Sequence, residues 1–148
     1  MSDVTIRPLT EADHADWRRL WTEYLKFYEA TVPEEVYAST WARLFDDGEY
    51  EPRGFIATVD GKAVGLVHYI LHRTCWSVKN NCYLQDLFAD PEVRGKGIGR
   101  ALIEAVYAEG ERLDTNGVYW MTQHFNETAR KLYDRIGTLT PFIKYQGG

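Results

Sequence analysis

Three glycines at alternate positions, Gly95, Gly97 and Gly99, lie between Arg94 and Arg100 with Lys96 among them, and an apolar-periodic run begins beside them at Ile98. A turn of this kind at the mouth of a helix aims several free backbone N–H groups at one spot, with the positive end of the helix dipole behind them. Glycine keeps that spot clear of Cβ atoms, so the main chain can close around a ligand. The chemistry this suits is anion binding. Spacing narrows the choice of anion. The dinucleotide fingerprint G-x-G-x-x-G fails, because counting from Gly95 puts Arg100 in the last place and counting from Gly97 puts Leu102 there. The Walker pattern fails too, since no Gly-Lys-Ser/Thr follows at the required distance.

Other residue types offer less. Cys75 and Cys82 are too few for a disulfide scaffold and match no zinc spacing. His68 and His72 would share one face of a strand but sit roughly 13 Å apart along it, so no metal site is expected. Residues 11–60 carry 12 acidic and 5 basic side chains, the remainder 10 and 12. That asymmetry reads either as a solvated helical surface or as a half that attracts cations. A formal net charge of −5 without a basic stripe argues against nucleic acid as the main partner.

The elements that must position the glycine turn are legible from periodicity. "VTIRPL" alternates like a short strand, and Thr10 with Asp13 offers a helix start close to a capping box. Trp17, Leu20, Trp21, Tyr24, Leu25 and Tyr28 then fall on one helical face. "PEEVYASTWARLFDDG" predicts a second helix with Pro33 in its first turn and Gly48 at its end. "GFIATVDGKAVGLVHYIL" predicts two strands joined by an Asp60-Gly61 hairpin turn. Residues 73–81 form a polar loop containing Trp76, and "CYLQDLFA" is the next strand, apolar enough for a central position.

After the glycines, Ile98, Ala101, Leu102, Ala105 and Val106 mark a third helix, which Gly110 is expected to end. "GVYWMT" predicts a strand, Asn126 caps a fourth helix closed by Gly137, and "TPFIKYQ" predicts a last strand. The expected fold is α/β (α+β): a mixed central sheet with about four helices on both faces, in the order β-α-α-β-β-β-α-β-α-β. At 148 residues, 45% of them hydrophobic, the chain is expected to be one domain, 1–148. No apolar run reaches the roughly 18 to 20 residues that span a bilayer, and "MSDVTIRPL" lacks the regions of a signal peptide, so a cytoplasmic protein without membrane partners is expected.

The pattern Arg94-x-x-Gly97-x-Gly99 resembles that of the GNAT superfamily of acyl-CoA-dependent N-acetyltransferases, whose members carry it between their fourth strand and third helix. The element order is also that family's. "YLQDLFADPEVRGKGIG" is similar to the fourth strand and loop of the polyamine and diamine acetyltransferase branch, which reads Leu-Glu-Asp where this chain has Leu84-Gln85-Asp86. "NETARKLYDRIG" resembles the family's last motif at Asn126, Ala129, Leu132, Tyr133 and Gly137.

The resemblance implies acetyl-CoA as co-substrate and no metal. It implies that the backbone of Leu87, Phe88 and Ala89 pairs with the pantetheine arm like an added strand. Backbone amides of Gly95, Lys96, Gly97, Ile98, Gly99 and Arg100 would hold the pyrophosphate beside Arg94, with Asn126 along the other side. Tyr133 would act as general acid toward the coenzyme A sulfur. Glutamine takes no proton, so Gln85 cannot replace the branch's glutamate. The base is left open among Asp86, Glu29 and His124, each reached through water. Tyr28 and Glu29 resemble the Tyr-Glu element near the amine site of polyamine acetyltransferases, and Gln85 would border that site.

Two proton problems frame the reaction. An alkyl amine has a pKa near ~10.4, so about one molecule in a thousand is nucleophilic at neutral pH, and the leaving thiolate wants a donor. The expected function is acetyl transfer from acetyl-CoA to a primary amine of a small molecule, by direct attack in a ternary complex. The acceptor could be a polyamine, a diamine or an amino acid. The alternatives are acetylation of a protein lysine or N-terminus, and a non-catalytic coenzyme A sensor. A homodimer is expected from the family habit and from aromatic residues at 14% of the chain.

Overall fold

The computed structural model describes residues 3–93 and 95–148. Arg94, expected to open the anion cradle, lies outside the described residues. The strands are β1 (Val4–Pro8), β2 (Arg53–Val59), β3 (Lys62–His72), β4 (Asn81–Ala89) and β5 (Val118–Tyr119). The helices are α1 (His14–Phe27), α2 (Glu34–Arg43), α3 (Ile98–Arg112) and α4 (Glu127–Ile136). The sheet order is β1-β2-β3-β4-β5, antiparallel except for the parallel β4–β5 pair.

The helices cover both faces, as the element order requires. On one face Trp17, Leu20, Trp21 and Leu25 of α1 pack with Tyr37 of α2 against Ile56 and Leu66. On the other, Ile98, Leu102, Ile103 and Val106 of α3 pack with Val67, Tyr69, Cys82 and Leu84, and Leu132, Tyr133 and Ile136 of α4 join them. Gly65 on β3 lets α3 lie directly on the sheet: a Cβ there would sit 2.7 Å from Ile98 and 3.1 Å from Leu102. That close seat fixes where the first turn of α3 points.

The β2–β3 hairpin turns at Asp60 and Gly61, both at positive φ (53° and 77°), the two-residue geometry expected of that dipeptide. A short 3-10 turn (Glu11–Asp13) precedes α1. Its Asp13 carboxylate accepts from the Thr10 N–H at 2.8 Å and from both terminal nitrogens of Arg7 at 2.7 and 2.8 Å. Hydrogen bonding to Arg7 holds the Asp13 carboxyl down at about 2.

Four boundaries differ from the periodicity reading. Helix α2 stops at Arg43 rather than reaching Gly48, because the chain tightens there, with Phe45 bonding Ala42 and Asp46 bonding Arg43, and the Asp46 side chain then captures the Gly48 N–H at 2.8 Å. Gly110 does not end α3, which runs on to Arg112. It is a contact glycine, since a Cβ would meet Val118 and Thr115 at 3.1 and 3.2 Å. Strand β5 ends at Tyr119, where Trp120 turns inward to pack on Tyr133 (5.5 Å) and against Gly137. "TPFIKYQ" forms no strand: residues 138–148 are exposed and pair with no neighbour among the described residues. Its composition favours a strand, but β5 offers an edge only two residues long.

Candidate active site

The site begins where two parallel strands part. Among the described residues, strand β4 pairs with β5 only at Cys82–Val118 and Tyr83–Tyr119, then runs on from Leu84 to Ala89 with β3 on one side and no strand on the other. The backbone of Leu87, Phe88 and Ala89 therefore presents an unpaired edge, suited to an extended ligand.

The glycine turn follows that edge. Gly95 and Gly97 have φ of 73° and 65°, a region costly to side-chain-bearing residues, and a Cβ on either would meet nothing within 4 Å. Gly97 is the N-cap of α3 and supplies no side-chain acceptor, so the first-turn amides of Ile98, Gly99 and Arg100 point outward uncapped. Ala101 is the first α3 residue to bond back, to the Gly97 carbonyl at 2.9 Å. Gly99 differs: a Cβ there would make an ordinary 3.5 Å contact with Leu132 of α4. Arg100 pairs with Glu104 at 3.4 Å. Asn126 takes the N-cap position of α4, but its amide donates to Thr122 at 3.3 Å rather than capping the helix. Uncapped helix amides, open glycines and a bare strand edge fit a diphosphate joined to an amide-bearing arm such as that of coenzyme A.

The amine side of the site is set by a β-bulge. His68 pairs with Asp86 and Tyr69 with Leu84, which leaves Gln85 as an extra residue. Ahead of the bulge Cys82 and Leu84 face the α3 core; beyond it Leu87 and Ala89 do, while Phe88 packs on the α1 side. One extra residue thus rotates Asp86 from the α3 face to the α1 face. Strict alternation from Leu84 would have placed it on the wrong side.

On the α1 face Asp86 sits under tyrosines. Burial, and then the Asp86 charge, push the Tyr24 hydroxyl pKa up strongly; the same two causes in the same order raise Tyr28 and Tyr83. Tyr24 touches Trp21 and Tyr28 at 5.1 Å each, and Tyr83 stacks on Tyr119 at 4.9 Å. Tyr133, from the opposite layer, is raised by burial and then by Tyr28, so the two phenols lie within electrostatic reach. Phenols held protonated are hydrogen-bond donors.

Three of the sequence-predicted residues therefore converge: Asp86, Tyr28 and Tyr133. Gln85 is exposed at the bulge itself. Glu29 follows α1 with φ of 54° and makes no hydrogen bond or ion pair through its side chain among the described residues. His124 is exposed and meets the Phe125 ring edge-on at 5.5 Å. Tyr24, Tyr83 and His68 are site residues that periodicity did not single out. Tyr24 reads as one more apolar position on α1, and in the sequence His68 suggests no more than half of a metal pair with His72. That pair is separated in fact, His68 being buried and His72 half-buried and bonded to Tyr119 at 2.7 Å. No group of three or more His, Cys, Asp or Glu among the described residues could hold a metal ion.

Comparison with known proteins agrees with this geometry. Residues 17–138 match the model of the acetyltransferase (GNAT) family. Over 145 residues the chain is 37% identical to a D-amino-acid N-acetyltransferase of Saccharomyces cerevisiae, covering 97% of this chain and 89% of that one. An aminoglycoside N-acetyltransferase solved in complex with CoA superposes with a TM-score of 0.80 at 22% identity, covering 99% and 96% of the two chains. A ribosomal-protein-alanine N-acetyltransferase from Brucella melitensis superposes with 0.78 at 23% identity, covering 98% of each. The fold, the glycine turn and the sequence matches together place this chain in the GNAT family of N-acetyltransferases.

Proposed function

We propose that this chain is a single acyltransferase domain moving the acetyl group of acetyl-CoA to a primary amine of a small molecule by direct attack in a ternary complex. The observation that carries the reading is the Gln85 bulge, which turns Asp86 toward the phenols of Tyr24, Tyr28 and Tyr83 beside the open edge of β4. Ring faces with one carboxylate among them suit an ammonium ion, each cation–π contact contributing about 0.5 to 2 kcal/mol. Coenzyme A would lie along Leu87–Ala89 with its pyrophosphate on the amides from Gly95 to Arg100, and Asn126 and Lys96 flanking it. Each N–H bond to a charged oxygen contributes roughly 1.5 to 3 kcal/mol, so a handful gives micromolar affinity.

In the reaction the substrate ammonium gives its proton through water to Asp86. The freed lone pair forms the N–C bond at the thioester carbonyl; as the C–S bond breaks, the nitrogen loses its second proton, which ends on the departing sulfur while Tyr133 hydrogen-bonds to that sulfur. A phenol raised above its usual pKa is a poor full proton donor to a thiolate, so Tyr133 works chiefly by hydrogen bonding to the developing charge.

Apart from the buried His68, the groups around Asp86 are phenols, with no Lys or Arg among those acting on Tyr24, Tyr28 and Tyr83. That favours diamines and polyamines, whose binding asks for no cation. The 37% identical yeast relative supports a second reading, an amino acid of D configuration. A panel of polyamines, diamines, D- and L-amino acids and basic peptides, assayed by thiol release, tests both. Turnover with small amines, strongly reduced but still measurable in Asp86→Asn, supports the proposal. Release only with peptides would favour a protein acetyltransferase, and none at all despite coenzyme A binding would favour a sensor.

The protein is further proposed to act as a homodimer in the cytoplasm. Leu139, Phe142, Ile143 and Tyr145 are 73–88% exposed in one segment, an apolar stretch that a second copy could cover.

A further inference from the structure

Beneath Asp86 lies a chain of buried polar contacts that the reaction as written does not use. The Trp17 indole N–H donates to His68 Nε2 at 3.0 Å, and His68 Nδ1 meets Asp86 Oδ2 at 3.0 Å. Trp17 is fully buried and His68 is 2% exposed. The members come from α1, β3 and the β4 bulge, 51 and 18 residues apart in sequence.

An indole can only donate, so Nε2 must offer its lone pair, and the ring's single proton sits on Nδ1. Nδ1–H then donates to Asp86 Oδ2. Trp17 and Trp21 flank the ring at 6.3 and 5.2 Å. One carboxylate oxygen is tied down, and Oδ1 is left uncommitted to His68.

We infer that Trp17 and His68 are positioning residues for Asp86: the indole selects the Nδ1–H tautomer, and that N–H aims the carboxylate so that Oδ1 is free on the α1 face of the sheet as the proton acceptor. The inference rests on the reading of Asp86 as base. It assigns no chemistry to His68 itself, which neither gives nor takes the substrate proton.

The test has a spectroscopic arm and a kinetic arm. In the intact protein labelled at its histidines, long-range proton–nitrogen spectra should show His68 with a protonated Nδ1 and an accepting Nε2, assigned by loss of the signals in His68→Asn. A proton on Nε2 overturns the inference whatever the activity. In kinetics, His68→Leu removes both contacts, whereas the amide of His68→Asn can still donate near the Nδ1 position. The leucine variant should lose at least about ten-fold in kcat with coenzyme A affinity unchanged, and the asparagine variant should recover most of it. In the Asp86→Asn background, His68→Leu should cost nothing further. Additive losses, or equal losses in the two His68 variants, would mean that the ring merely fills space. Should His68→Leu not fold, Trp17→Phe keeps an aromatic ring in the core, at the cost of a small cavity, and removes the donor; the expected result is then a mixed His68 tautomer with reduced kcat. A wild type inactive on every amine while the tautomer is as stated defeats the reading of Asp86, not the hydrogen-bonded chain.

Discussion

Replacing Gly97 by alanine separates a conformational cost from a binding cost. Gly97 sits at φ 65°, and an alanine Cβ there would meet no protein atom within 4 Å, so the fold loses only what an L-residue loses in the left-handed region, about 1 kcal/mol. For a chain of 148 residues that corresponds to a fall in Tm of about 3 °C. Gly61 provides the control, since it has φ 77° and equally empty surroundings but lies in the β2–β3 hairpin. Gly61→Ala should therefore cost a similar amount of stability. The two variants should diverge in calorimetric titration with coenzyme A. If Gly97→Ala disturbs one amide–pyrophosphate bond, about 1.5 to 3 kcal/mol is lost and Kd rises by roughly 10- to 150-fold. Gly61→Ala should bind like wild type. Matching Tm losses with unchanged affinity in both would refute the assignment of the glycine turn to the diphosphate.

Other outcomes follow from the same geometry. Tyr133→Phe keeps the ring contact with Trp120 and removes the donor, so kcat should drop by roughly 10- to 1000-fold at unchanged coenzyme A affinity; a drop in affinity alone would count against it. The Asp13 carboxyl is held at about 2, below its ordinary 3.8, so its stabilisation is full above that ordinary value and fades as pH falls through about 2. Asp13→Asn should thus cost about 1 to 2 kcal/mol near pH 7, trimmed by solvent at the half-exposed Arg7, and the gap in urea midpoint should close toward pH 2. A gap independent of pH would refute the ion-pair account. Phe142→Asp should convert a dimer to a monomer by light scattering if the exposed C-terminal segment is the interface, and a wild-type monomer at micromolar concentration would contradict that.

The legible part of this protein was whatever a local pattern determines. Trp17, Leu20, Trp21 and Leu25 point inward because a single period places them there, and Asp60-Gly61 turns because positive φ at two residues suits that dipeptide. The glycine turn was legible for the same reason. What escaped depends on pairing between distant residues. The bulge at Gln85 appears only when β4 is set against β3, and it overturns the face that simple alternation assigns to Asp86. The Trp17–His68 contact joins residues 51 apart, so neither side chain advertises it. Gly110 reads as a helix stop, yet its role comes from Val118, which reaches it only through the fold. The segment 138–148 has the composition of a strand and lacks the neighbour that would make it one.

The most direct measurement is a coenzyme A titration followed through backbone amide resonances. Donors gathered at the start of α3 and along the bare edge of β4 predict saturable shifts at Gly97, Ile98, Gly99 and Arg100 and at Leu87 to Ala89, with the Asp60-Gly61 hairpin unmoved. Shifts centred elsewhere, or none at saturating coenzyme A, would contradict the account.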